Sequence, residues 1–213
     1  MMPPLGGWAR AVVEHVPLRS AESLRRAAQI VQAGGIIAFR MGEGLIVAGD
    51  VQQGSVLAVL TGLPGQVRDA PIQVLLASAT GLPQVTQPIS DTVWQLVQAF
   101  WPGPLRLLLP RNPALPALTL SSSRAVSVQI PGQRSVLRLL ETVGLALASA
   151  AVTEGAVEAI PSLRLVLDGS LGQLPTPATV LDLTTATPTV LTNGSISAAA
   201  LAQALGQHPL LKG

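Results

Sequence analysis

The sequence predicts an α/β domain with a mixed sheet, on three observations. Segments with apolar residues at helical spacing alternate with short, continuous apolar runs, the pattern of helices layered on a sheet. Two such runs, 105–109 and 125–130, read as antiparallel neighbours, so the sheet is not purely parallel. The chain has 213 residues, 48% hydrophobic and only 11% charged, which provides a substantial core and excludes disorder as a global state.

Each element follows in order. Ser20 caps a helix through Gln32, with Leu24, Ala27, Ile30 and Val31 at helical spacing and Gly34-Gly35 closing it. Ile36-Ile37-Ala38-Phe39 reads as a buried strand. Residues 51–60 carry a second helical pattern, broken by Gly62 and Pro64, and 71–77 is a strand. Ser90 or Asp91 caps a helix to Phe100 that stops at Trp101-Pro102-Gly103-Pro104. Strands follow at Leu105–Leu109 and at Ala125–Ile130, the second alternating with Val126, Val128 and Ile130 on one face. A helix at 133–143 precedes an apolar strand at 145–152, and Leu163–Leu167 and Ala178–Leu183 are further strands. Ser197 caps a last helix, Ala198–Leu205, closed by Gly206. No repeat, low-complexity tract or linker divides the chain.

Composition removes whole classes of chemistry. The chain has no cysteine, which excludes disulfides, thiolate metal sites and a Cys nucleophile. It has no tyrosine and few aromatic residues, which disfavours stacking platforms for single-stranded nucleic acid. All basic residues but Lys212 are arginine, so no lysine stands in the body of the chain. Five arginines, Arg106, Arg111, Arg124, Arg134 and Arg138, lie between Asp91 and Glu141 with no acid among them, a block that could line an anion-binding surface. Gly42-Glu43-Gly44 lacks the third glycine of a dinucleotide fingerprint, since Val47 stands there. The only histidines, His15 and His208, are near opposite ends, which argues against a catalytic triad or a histidine metal site. Glu154 and Glu158 would share a face only on a helix, and Gly155 favours a loop. No signal peptide and no continuous apolar run of about 20 residues is present, so the expectation is a cytoplasmic chain without a membrane span.

A series of segments, in order, resembles one family. Ala33-Gly34-Gly35-Ile36-Ile37-Ala38-Phe39 is similar to a G-G-x-x-A-F strand. Phe100-Trp101-Pro102-Gly103-Pro104-Leu105 reproduces F-W-P-G-P-L. Val126–Pro131 resembles V-A-V-R-x-P, Leu165–Gly169 resembles L-x-L-D-G, Ala178–Leu183 resembles S-T-V-V-D-L, and Val190–Ile196 resembles I-L-R-P-G-G-I. Six landmarks at near-family spacing over about 20–206 resemble the YrdC-like family, which includes threonylcarbamoyl-AMP synthase and the YciO proteins. The resemblance implies a single domain with a twisted mixed (parallel and antiparallel) sheet flanked by helices and a concave basic cleft. It places that domain at 20–206, an N-terminal extension at 1–19 and a tail at 207–213. In active members the cleft binds ATP, threonine and bicarbonate and makes threonylcarbamoyl-AMP for a tRNA modification; the family is also associated with double-stranded RNA.

Departures from the family pattern fall on its chemical groups. The K-x-R pair of a K-G-R-P-like segment falls on Thr61-Gly62-Leu63-Pro64. The S-x-N falls on Ala151-Val152-Thr153, and the P-T-E-T-x-Y-G-L loop on Arg40–Val47 without its Pro, Thr or Tyr. The arginine of V-A-V-R is Gln129, the serine of S-T-V is Ala178, and the arginine of L-R-P-G-G is Thr192. Adenylyl and acyl transfer develop negative charge, and each missing oxyanion-type donor costs about 3–4 kcal/mol of barrier. The expectation is therefore a diverged member, a pseudoenzyme with no catalytic residue assigned, that binds a nucleotide, RNA or another anion. The candidate ligand-binding residues are Arg40, Arg106, Arg124, Thr179 and Gly194; ATP is the cofactor the resemblance implies, and no metal is expected. The alternatives are an active synthase in which Arg40 stands in for a lost cation, and a protein-interaction module. One concave pocket lined by Arg40, Arg106 and Arg124 favours ligand binding; scattered arginines favour interaction with a protein.

Overall fold

A computed structural model describes residues 13–41, 44–64, 71–116, 124–160, 162–169, 177–206 and 211–212. Helix α1 (Ala21–Gln32) starts where the Ser20 hydroxyl accepts from the Ser23 N–H at 3.4 Å. It buries Leu24, Ala27, Ala28 and Val31, an i, i+3, i+4, i+7 stripe. Gly34, at φ +82°, turns the chain out of the helix.

Eleven strands form one sheet. In chain order they are β1 (Glu14–Pro17), β2 (Ile36–Met41), β3 (Gly44–Asp50), β4 (Ile72–Leu75), β5 (Leu105–Pro110), β6 (Ala125–Gln129), β7 (Leu147–Val152), β8 (Leu163–Asp168), β9 (Thr179–Asp182), β10 (Thr189–Thr192) and β11 (Leu211–Lys212). Their order across the sheet is β1-β8-β2-β3-β7-β4-β6-β5-β9-β10-β11. Pairs β1–β8, β2–β8, β4–β6, β5–β9 and β10–β11 are parallel, and the other five are antiparallel, including the expected β5–β6. The remaining helices are α2 (Gly54–Thr61), α3 (Leu82–Val85), α4 (Asp91–Phe100), α5 (Arg134–Val143) and α6 (Ala198–Ala204).

Several elements differ from the sequence expectation. The expected helix at 51–60 begins later, at Gly54, because β3 occupies 44–50. That strand has no alternation: Leu45–Asp50 are all buried, since both of its faces are covered, with Leu45 and Val47 in one apolar cluster and Ile46 and Ala48 in the other. Residues Glu154–Ala159 form a 3-10 turn where a loop was expected. Two strands lie outside 20–206 and still join the sheet, β1 beside β8 and β11 beside β10. Gly42 and Glu43, His208 and the first twelve residues lie outside the described residues.

The two faces of the sheet are packed differently. On one, Ile36, Ala38, Val47, Val74, Leu105, Leu107, Val126, Val128 and Leu181 pack with Leu57 and Leu60 of α2, Leu96 of α4 and Leu201 of α6. On the other, Ile37, Phe39, Ile46, Ala48, Leu75, Leu147, Leu165 and Leu167 pack with α1 and with Val136, Leu139, Leu140 and Val143 of α5. No residue of β5, β6 or β9 belongs to that second cluster, so the helical layer of this face stops at β4. Among the described residues, no helix is long and apolar enough to cross a membrane.

Candidate functional site

Where the second helical layer stops, the sheet changes character. On β7, β4 and β6 the residues pointing to this face include Ser149, Gln73 and Ser127, which the register sets side by side across three strands. The Ser149 hydroxyl donates to the Gln73 carbonyl at 3.3 Å. One residue pair further along β6 and β5 on the same face stand Gln129 and Arg106. Leu107 pairs with Val128, and continuing that antiparallel register by one residue sets Arg106 opposite Gln129. Around them Leu108, Val180 and Asp182 are half-buried. Polar side chains thus replace aliphatic ones over β7, β4, β6 and β5.

Three of these side chains carry a polar atom that is buried and has no hydrogen-bond partner among the described residues: Gln73 Nε2, Gln129 Oε1 and Arg106 Nε. Gln129 is only 6% exposed. Its Nε2 donates to the Gly103 carbonyl at 3.0 Å, which fixes the amide and leaves Oε1 as the orphan acceptor. Burial pushes the Arg106 guanidinium below its ordinary value by desolvating the charge. An orphaned buried polar atom costs about 1–3 kcal/mol, so three together mark a place the fold does not optimise for stability. A donor, an acceptor and a charged donor on one face can hold a small polar anion that also carries a hydrogen-bond donor.

The five residues expected from sequence do not converge. Arg40 shares the face of Ile36 and Ala38, on the side opposite Arg106, and stands level with Leu45 and Val152. Arg124 is exposed just before β6, and its carbonyl accepts from Arg111 N–H at 2.8 Å. Strand directions place Arg40 and Arg124 at one end of the sheet, and Arg106, Thr179 and Gly194 towards the other. The single pocket lined by Arg40, Arg106 and Arg124 does not form, because β2 and β5 present these arginines to opposite faces. Of the other arginines in the block, Arg111 donates to the Leu115 and Pro116 carbonyls at 3.4 and 2.8 Å, and Arg134 and Arg138 are exposed on α5.

Thr179 and Gly194 form a latch. The Thr179 hydroxyl is fully buried; it donates to the Ile196 carbonyl at 2.9 Å and accepts from the Gly194 and Ile196 N–H groups at 3.1 and 3.0 Å. A Cβ on Gly194 would lie 2.4 Å from Ala178 C and Thr179 N. The F-W-P-G-P-L segment is built in the same way. A Cβ on Gly103 would lie 2.2 Å from the Phe100 carbonyl oxygen, and the Trp101 indole N–H donates to the Leu105 carbonyl at 2.7 Å.

At the positions of the K-x-R pair, both side chains serve the fold. The Thr61 hydroxyl donates back to the Leu57 carbonyl of its own helix at 2.8 Å, and Leu63 is a core residue. Ala151 and Thr153, at the S-x-N positions, are exposed. Gln73, Ser127 and Ser149 were not anticipated from sequence; the only hint was a polar residue breaking each apolar strand on one parity. Among the described residues no three His, Asp or Glu side chains cluster to hold a metal.

Comparison with known proteins agrees with this architecture. A protein of Mycobacterium leprae, named as a candidate threonylcarbamoyl-AMP synthase, is 26% identical over 208 residues, 91% of this chain and 92% of its own. The threonylcarbamoyl-AMP synthase of Pyrococcus abyssi is 23% identical over 207 residues, covering 89% of this chain and 60% of its own. The crystal structure of P. abyssi Sua5 complexed with L-threonine superposes with a TM-score of 0.78 at 22% identity, over 94% of this chain; this chain spans 62% of that one. The structure of E. coli YciO matches with a TM-score of 0.71 at 19% identity, over 87% of this chain and 96% of its own. The family model Sua5_yciO_yrdC, described as "Telomere recombination", matches residues 29–194. With the mixed sheet, the order of landmarks and a family model spanning most of its length, the chain belongs to the Sua5/YciO/YrdC family.

Proposed function

We propose that this chain is a diverged member of its family that binds a nucleotide or another small anion on the polar stretch of its sheet, without synthase turnover at an ordinary rate. The observation that carries this is the fate of the K-x-R positions. Thr61 is bonded back into α2 and Leu63 is buried in the core, so neither can meet a phosphate. The relatives named as threonylcarbamoyl-AMP synthases make a product that joins a carbamoylated threonine to AMP, so nucleotide and amino-acid chemistry are the natural classes of ligand to test. Arg106 is the cation on the polar stretch described above. The arginine block as a whole supports RNA binding less well, because its members point to different faces and Arg111 is spent on backbone carbonyls.

Purified protein with ATP, threonine and bicarbonate should release pyrophosphate at about one thousandth, or less, of the rate of an active family member, as two missing donors imply. The same protein should be stabilised in a thermal-shift panel by AMP or ATP. Turnover matching that of the P. abyssi enzyme, abolished by Arg40→Ala, would establish the active-synthase alternative instead. Binding of double-stranded RNA with a steep loss of affinity on raising salt would establish the nucleic-acid alternative.

A further inference from the structure

The orphan atoms on β5 and β6 have complementary chemistry and adjacent positions. Arg106 Nε is a donor and Gln129 Oε1 an acceptor, neither with a partner among the described residues, and the two residues lie on neighbouring strands one step past the Leu107–Val128 pair. Had the fold only needed to satisfy them, one could have bonded the other. Gln129 is instead drawn towards Gly103 by its Nε2 and held there. Gln73 Nε2, on the next strand, adds a second donor to the same face. A ligand that satisfies this set needs an anionic oxygen for the guanidinium and an N–H or O–H for the glutamine oxygen. A simple anion offers only the first; a bare hydrogen-bond donor offers only the second.

We infer that Arg106 and Gln129 form a two-point recognition pair for a ligand whose carboxylate or phosphate lies beside a hydrogen-bond donor. In this pair the cation comes from β5, whereas the resembled family motif carries it on β6. This rests on the proposed ligand-binding role of the polar stretch and says which residues discriminate. Gln129 occupies the arginine position of the V-A-V-R segment, and Arg106 brings a guanidinium to the same place from the strand opposite. The charge has been moved across one strand spacing of about 4.8 Å rather than lost. A guanidinium suits the role because it stays charged throughout the working pH range despite its burial.

The test is a charge exchange, read by calorimetric titration with two probes, AMP for the phosphate and L-threonine for the carboxylate. Wild-type protein should bind at least one of them, and the probe that binds identifies the source of the anion. Arg106→Gln should weaken that probe about 30-fold, the loss of one charge-assisted hydrogen bond. The double variant R106Q/Q129R, with the cation returned to β6, should recover affinity to within about fivefold of wild type. If wild type binds and R106Q binds equally well, this inference is overturned while the proposed function stands. If wild type binds neither probe, this inference is overturned, and the proposed function falls with it if ATP also fails to stabilise the protein in the thermal-shift panel. A folded double variant no better than R106Q also overturns it. Should the double variant not fold, Arg106→Lys takes its place: keeping the charge on β5, it should bind about tenfold more tightly than R106Q, and equal weakness of the two is a refutation.

Discussion

Replacing Thr179 by valine separates the latch from a ligand role most cleanly. The substitution is nearly isosteric, so packing is kept and only the hydroxyl is lost. Three hydrogen bonds go with it: the one to the Ile196 carbonyl at 2.9 Å and those from the Gly194 and Ile196 N–H groups at 3.1 and 3.0 Å. Each polar group stranded in a dry place costs about 1–3 kcal/mol. Gly194 and Ile196 are half-buried, so water recovers part of the loss. The sum comes to about 3 kcal/mol, a large share of the roughly 5–15 kcal/mol by which a domain is stable. Urea unfolding followed by tryptophan fluorescence measures it directly. Thr179→Ser is the control: it keeps the hydroxyl, loses one methyl and should cost about 1 kcal/mol. A Thr179→Val midpoint within about 0.5 kcal/mol of wild type, together with lost nucleotide binding, would refute the latch and restore Thr179 as a ligand residue.

Other outcomes follow from the same geometry. Gly103→Ala would force a methyl to 2.2 Å from the Phe100 carbonyl oxygen, so the melting temperature should fall by an amount matching about 3 kcal/mol; an unchanged melt would contradict the close approach. Leu63→Arg, which restores a family cation, buries a charge in the core and should destabilise by about 3 kcal/mol without creating pyrophosphate release, which the coupled assay would detect. Arg106→Leu removes a desolvated charge and should leave stability equal or up to about 1 kcal/mol higher while binding is lost; a clear drop in the urea midpoint would mean that the guanidinium holds the fold. Burial lowers the folded-state value of Arg106 below its unfolded one, so its cost is present wherever the group is charged in both states and is relieved only at strongly alkaline pH. Between about pH 6 and 9 its contribution to the slope of stability with pH should therefore be zero, and wild type and R106L should differ by a constant amount across that window.

Much of the fold was legible because local signals agreed with the layers they serve. Ser20, Ser90 and Ser197 each accept from an N–H of the following turn, and α1, α4 and α6 begin where those caps stand. The strand β3 was not read because both of its faces are buried, which erases the alternation that marks a strand, and because its first residues were assigned to a family loop. Neither β1 nor β10 offers an apolar run: β1 is Glu14-His15-Val16-Pro17, and in β10 threonines flank Val190 and Leu191. The site was harder. Arg106 was picked out for its charge and does lie on the polar stretch, but its neighbours Gln73, Ser127, Gln129 and Ser149 come from three strands far apart in sequence. Their meaning depends on register and on which face each presents, and only pairing supplies that. Thr179 and Gly194 stood out by their place in the resembled motifs, and the structure spends both on the fold: a threonine that bonds three times, and a glycine where no side chain fits.

The first strand of the sheet bears on how its border is closed to other chains. Without β1, the outermost strand on that side would be β8, where Arg164 alone interrupts the apolar residues from Leu163 to Leu167 and whose unpaired backbone groups would offer a template to any extended chain. β1 covers that border with four residues that make a poor template in turn. Glu14 pairs with Arg26, His15 lies 2.9 Å from Asp168, and Pro17 lacks an N–H to offer. A truncation at Ser20 would keep all the residues of the polar stretch and yet leave a hydrophobic border exposed. Such a protein should self-associate on standing even where its ligand binding is intact, so a fragment cut to the family landmarks is the wrong form in which to study this chain.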